Sequence, residues 1–284
     1  MIFYGRQTLF AMTRYTLILI LALMAGLPFL SFASSYNGTT KSGETYFQQR
    51  VYGPGEELRY SLNYGFIKGG EASLMVKDTT LHGEKLHHVI ARGKTVGLAD
   101  AIYKVRDRYE SFIDPQTDLP VKSVRSIREG SYRYYNEVSY EHQHLDSAKI
   151  ESKKSGEKWV PENIQDILSA FYYARKHKFN EDLKEGELIE IMTYFSDELF
   201  PLRIRYKGVE VIDTPLGDLE CYKFVPVTEV GRAFKNEDDM QVWISRDKNR
   251  VPVRIRFQLR VGAFTCNLEQ FRGLHNPFSS FHVD

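Results

Sequence analysis

Glu57 to Tyr64 reads ELRYSLNY, with apolar and polar residues taking turns. Side chains of an extended strand point to opposite faces alternately, so a period of two describes a strand with one face buried and one wet. The pattern returns at 71–77, 85–92, 103–113, 121–127, 132–140 and 148–152. After an interruption it resumes at 187–195, 202–207, 209–212, 219–227, 239–244, 251–259 and 264–271. Gly, Pro and Asp punctuate the series at about 8–12 residues, the spacing of an antiparallel sandwich or barrel. The expected fold is mainly β, a curved antiparallel sheet or half-open barrel. In GFIKGG, Gly65 and Gly69-Gly70 read as a turn between the first two strands. No helix follows it, so it is not a phosphate-cradling loop.

The interruption is PENIQDILSAFYYARKH, Pro161 to His177. Ile164, Ile167, Leu168 and Phe171 fall at i, i+3, i+4 and i+7, one face of an amphipathic helix near 161–177. Pro161 and Glu162 suit its first turn, and Arg175, Lys176 and His177 its last.

A phrase is written twice on either side of that helix. FIDPQTDLPVKSVR (Phe112 to Arg125) and WISRDKNRVPVRIR (Trp243 to Arg256) both run aromatic-Ile, polar turn, apolar residue, Pro, Val, basic residue. DTTL at 78–81 and DTPL at 213–216 precede them, and Asp to Pro spans 42 residues in one case and 39 in the other. Two pseudo-repeats, about 53–152 and 187–272, are therefore expected within one domain, 51–273, followed by a tail at 274–284. From Ile to Pro is seven positions in the first phrase and eight in the second, so the extra residue needs a bulge or a wider loop.

Residues 1–33 stand apart. Arg6 and Arg14 precede YTLILILALMAGLPFLSF, which ends in Ser31-Phe32-Ala33. A basic start, an apolar run and a small-x-small site describe a secretory signal peptide, cleaved near Ala33. A retained N-terminal anchor is the alternative, since the run is long enough to span a bilayer. Residues 34–50 read as a flexible leader. Loss of the two arginines takes the formal charge from +1 to −1. A near-neutral chain with interspersed signs gives no footprint for nucleic acid. The mature chain is expected in the periplasm or cell envelope, with no transmembrane span after cleavage. Cys221 and Cys266 lie on strand segments with two others between them, and a simple meander would hold them about 14 Å apart. Buried free thiols are expected unless the sheet closes on itself.

GPGEELRYSLNYGFIKGGEASL (53–74), GKTVGLADAIYKVRDRYESFIDPQTDLP (93–120), DILSAFYYAR (166–175) and VWISRDKNRVP (242–252) together resemble the DUF3108 family of exported bacterial proteins of unknown function. The resemblance covers about residues 50–272 and implies no catalytic residues. The hairpin phrase is also similar to one in the LolA/LolB-like periplasmic lipoprotein carriers. That likeness implies a curved half-barrel with a helix in its mouth and an apolar cavity for acyl chains.

No nucleophile elbow, phosphate loop, Cys-His pair or HExxH helix is present. No cofactor is expected. His87 and His88 are adjacent on a strand and point to opposite faces. His142 and His144 share a face, but two ligands are too few for a closed zinc site. Asp107 shares a strand face with Val105 and Tyr109. If that face is inward, Asp107 is a buried acid in need of a partner, with Lys94 and Arg125 the first candidates. Tyr64, Lys94, Asp107, Tyr109 and Arg125 are thus the candidate ligand-cavity or buried polar residues. The leading reading is a non-enzymatic protein that binds or carries a lipid or other amphipathic molecule. A structural module contacting a cell-envelope protein, or an envelope hydrolase with a site built from distant strands, are the alternatives.

Overall fold

The computed structural model describes residues 50–142, 146–227, 239–258 and 262–282. The expected signal peptide and all of the leader but Arg50 lie outside the described residues, as does His144. Fourteen antiparallel strands form one sheet: β1 (Glu57–Tyr64), β2 (Ile67–Leu81), β3 (Glu84–Thr95), β4 (Arg106–Ile113), β5 (Pro120–Glu129), β6 (Tyr132–Glu141), β7 (Ser147–Ser152), β8 (Gly156–Pro161), β9 (Leu188–Phe195), β10 (Glu198–Thr214), β11 (Gly217–Pro226), β12 (Met240–Ser245), β13 (Pro252–Gln258) and β14 (Ala263–Arg272). The order across the sheet is β8 back to β1, then β14 back to β9. Each half is a meander, and β1 joins β14. Helix α1 (Gly97–Ile102) links β3 to β4, and α2 (Ile167–His177) links β8 to β9.

The sheet curls until its two ends meet. After β8 the chain crosses to the free edge of β9, where Gln165 makes a parallel bridge to Thr193. Side chains complete the seam. Asp197, in the β9–β10 turn, accepts from Ser152 Oγ at 2.6 Å and Ser155 Oγ at 2.9 Å on the far end of the sheet. A nearly closed barrel leaves few unpaired edge groups. Helix α2 fills the interior, and its buried Ile167, Leu168, Phe171 and Tyr172 pack with residues of β2–β5 and β9–β12 in one core.

The helix is shorter than its sequence suggests. Pro161 ends strand β8 instead of opening the helix. Asp166 is the N-cap and forms a capping box with Ser169. Ile164 is buried as expected, but ahead of the helix, against β6–β8. The two short strands expected at 202–207 and 209–212 are one strand, β10, bent at a bulge where Gly208 takes φ +96. The expected turn at 65–70 is confined to Gly65-Phe66, and Gly69-Gly70 belong to β2. Gly70 lies so close to β3 that a Cβ there would sit 2.9 Å from the Lys94 carbonyl oxygen. Tyr103 is a helix C-cap rather than a strand residue.

The duplicated phrase makes two matching corners. Ile113 pairs with Pro120 and Ile244 with Pro252, and each ladder slips at the aromatic-Ile step beside it. The extra residue of the second copy is absorbed in the loop, so both ladders are the same. Both corners grip the C-terminal turn of α2. Asp118 accepts from Lys176 Nζ at 2.7 Å and lies 2.8 Å from His177 Nε2. Arg250 donates to the carbonyls of Arg175 and Lys176 at 3.0 and 3.3 Å. A helix ends in unpaired carbonyls, and Arg250 satisfies two of them, while Asp118 holds the basic side chains of the same turn.

Arg175 sits at the centre of this end of the barrel. It is fully buried and forms a two-pronged pair with the equally buried Glu56, at 2.7 and 2.9 Å. It also donates to the Asn249 carbonyl at 2.8 Å. Tyr52, Phe171 and Tyr172 surround the guanidinium at 5.0–5.8 Å. Breaking a buried pair from one side strands a charge, at a cost of about 3–5 kcal/mol. Arg175→Met should therefore lose about that much in urea denaturation, and Glu56→Leu with Arg175→Met should recover most of it. Equal loss in the single and double variants would show that packing, not charge, holds the helix.

Candidate functional site

Between α2 and the sheet lies an apolar cavity of about 130 Å³. Its helix side is Ile167, Leu168, Phe171 and Ala174; the opposing strands present Ile189, Ile191, Leu202, Ile204, Val242 and Ile255. The space has a simple origin. Inward positions of β2 and β3 carry Ala72, Ala91 and Gly93, where β9 and β10 carry Ile189, Ile191, Leu202 and Ile204. Engineered apolar cavities of about 150 Å³ stay dry and take up benzene-sized solutes. Pockets for whole drug-sized ligands begin at about 300 Å³. The space here suits a short apolar group, not a drug-sized molecule.

Cys266 lies on the cavity wall, and burial pushes its thiol up to about 12. Cys221 belongs to a separate cluster with Trp243 and Val253. Both thiols are free, as expected for strands β11 and β14 with two strands between them.

A polar cluster borders the cavity. Strand β4 alternates as expected, with Asp107, Tyr109 and Ser111 inside and Arg106, Arg108 and Glu110 outside. Asp107 Oδ1 accepts from the Arg128 backbone N–H at 3.0 Å. Glu129, the next residue along β5 after Arg128, is also buried. Burial raises the Asp107 pKa, while Arg128 N–H, Glu129 and the charge of Arg125 draw it partway back.

Arg125 does not pair with that acid directly. Its guanidinium lies 4.7 Å from the Phe195 ring, 4.9 Å from Tyr134 and 5.5 Å from Tyr109, and it donates to Ser196 Oγ at 2.8 Å. Asp107, Tyr109 and Arg125 therefore stand together. Lys94 does not join them. It points outward and pairs with Glu71 at 3.0 Å, because Gly93, not Lys94, lies opposite Asp107. Tyr64 sits at the end of β1, against Gly262.

One residue that the sequence pattern did not single out belongs to the same region. Asp166, the helix cap, is fully buried and accepts from Ser111 Oγ at 2.5 Å. Burial raises its carboxyl to about 6, partly offset by Ser111 and the N–H groups of Ser169 and Leu168. The Asp-x-x-Ser spacing at 166–169 is a capping signal, but it sits inside a longer apolar pattern that masks it.

The histidines are used singly. His88 lies 2.7 Å from Glu110, and His142 Nε2 lies 2.9 Å from the Pro120 carbonyl. Among the described residues, no three His, Cys, Asp or Glu side chains converge as a metal site. No helix among them is long and apolar enough to cross a membrane.

Both acids give the same pH signature. A raised native pKa means the folded protein holds a proton that the unfolded chain releases. The associated stability is fully present below the unfolded value, near 4 for an aspartate, and is lost as pH rises through the native value. Asp166 places that window between about 4 and about 6. Asp107→Asn and Asp166→Asn keep an acceptor for each backbone donor, so both should be neutral or stabilising at pH 7.5. Each should also flatten the stability profile between pH 4 and 7. Urea midpoints across that range check this, and a large loss at pH 7.5 would mean the negative charge itself is required.

The family model described as "Protein of unknown function (DUF3108)" matches residues 59–269. No curated protein matches the chain. A β-barrel-like DUF1849 protein from Brucella abortus is similar in structure, at 6% identity and TM-score 0.47, covering 80% of this chain and 100% of that one. A protein with a YmcC-like fold from Bacteroides fragilis matches at 10% identity and TM-score 0.34, covering 78% of this chain and 96% of that one.

Proposed function

This chain belongs to the DUF3108 family, which carries no assigned activity, and we propose that it is an exported, non-enzymatic protein that holds an apolar group of a lipid or other amphipathic molecule. The observation that carries the reading is the cavity. Its wall is almost wholly aliphatic and aromatic, and it lies beside a helix that the barrel encloses. A core at native density leaves few voids larger than a water molecule. Export is supported by Arg6 and Arg14, the apolar run and Ala33. A volume of about 130 Å³ admits part of one hydrocarbon chain, so the polar head of the ligand stays outside.

Cys266 supplies a native reporter, with Cys221 as its internal control. A medium-chain fatty acid should slow thiol labelling at Cys266 and leave Cys221 unchanged. Ala72→Leu with Ala91→Leu fills the space. It should cut uptake of a fluorescent fatty acid by about tenfold or more, from about 0.8 kcal/mol per buried methylene, with the thermal midpoint unchanged or raised. Equal labelling of both thiols with and without fatty acid, or undiminished uptake by the filled variant, would overturn the assignment.

A further inference from the structure

The barrel end opposite the two corners carries apolar side chains that the core does not use. Phe66, at the tip of the β1–β2 turn, is 98% exposed. Helix α1 buries none of its six residues and presents Leu98 and Ile102 at 74% and 52% exposure. Residues four apart on a helix share a face, so these two point the same way. The turn and the helix are held side by side. Val96 N donates to the Gly69 carbonyl at 3.0 Å, and a Cβ on Gly69 would lie 3.6 Å from Ala99 Cβ. Phe66, Ile67, Leu98 and Ile102 thus form one projecting apolar tip.

Uncompensated positive charge surrounds this tip. The nearby acids are already neutralised: Asp100 by Arg106 at 2.6 Å, Glu71 by Lys68 and Lys94, and Glu269 by Lys68. Lys104 follows the C-cap of α1, and Arg128 and Arg133 flank the β5–β6 turn, whose Gly130 packs on Tyr103. All three are exposed, and no carboxylate among the described residues pairs with them. Tyr132, with its apolar ring and polar tip, stands exposed beside them.

We propose that this end docks on an anionic lipid bilayer. Phe66, Leu98 and Ile102 enter the interfacial layer, and Lys104, Arg128 and Arg133 lie against the phosphate headgroups. The chemistry is that of an interfacial anchor, a small apolar wedge with a cationic collar. A protein partner would favour a flatter patch with alternating charge; here the charge left over is of one sign. The same end bears Pro226 and Met240, which line the cavity, so docking would bring the cavity close to lipid. The docking surface does not depend on the cavity being loaded.

The test uses the intact chain with a tryptophan reporter at either end. Phe66→Trp places one on the tip. Lys85→Trp places one on the exposed β3 start, at the corner end. Vesicles of brominated phosphatidylglycerol should quench and blue-shift the emission of the tip reporter. They should leave the corner reporter unchanged, after subtraction of the wild-type signal of Trp159 and Trp243. The contrast between positions holds even if residues 15–32 also enter the bilayer. Lys104→Gln with Arg133→Gln should weaken vesicle binding at the tip by about tenfold or more. Equal quenching at both positions, or none at the tip, would overturn the proposal. Burial of the tip reporter by a protein extract but not by vesicles would overturn it in favour of a protein partner. Fatty-acid uptake by the Phe66→Trp variant in vesicle-free buffer keeps this outcome separate from any failure of the cavity reading.

Discussion

The buried pair between Glu56 and Arg175 is the constraint on which this architecture turns. Neither side chain is exposed, so each charge depends on the other and on the Asn249 carbonyl for solvation. Such a pair adds little net stability over well-packed apolar residues. Its effect is positional. A helix with an apolar face could slide or rotate inside a wide barrel at small cost. A guanidinium that must meet one carboxylate and one carbonyl allows a single depth and a single rotation. Because Glu56 precedes β1 and Asn249 belongs to the second corner, the contact also locks the helix to both meanders.

That fixed helix explains the cavity. The capping box at Asp166 and the corner contacts at Lys176 and Arg250 pin both helix ends, so α2 cannot move to fill the gap over Ala72, Ala91 and Gly93. Packing voids normally collapse when the surrounding elements can relax. Here three small residues on β2 and β3 face a helix that polar bonds hold away. The polar cluster of Asp107, Arg125 and Asp166 lies on the flank of this space, and burial raises the pKa of both its acids.

Strand β4 was legible because alternation is a local property: each step from Val105 to Ile113 inverts the side chain, and the burial follows it. Strand β8, GEKWVP, was not legible. It is short, it alternates weakly, and the proline that ends it also suits a helix start. Helix α1 escaped notice because it buries nothing, and without a buried face there is no period to read. Asp107, Tyr109 and Arg125 could be grouped from strand faces alone. Lys94 was misplaced because residue register between β3 and β4 is set by pairing across strands, and Gly93 takes the inward place.

The sequence by itself determined a chain of alternating strands, one amphipathic helix between two halves, and a corner phrase written twice. Each depends on periods and turn residues within a few positions of one another. Only the tertiary structure decided that the sheet closes, that both corners seize the same helix end, and that Glu56 and Arg175 meet across 119 residues. It alone showed where small residues from separate strands leave a space. Those facts depend on which distant faces come into contact, and the energy of such contacts has no counterpart in local sequence.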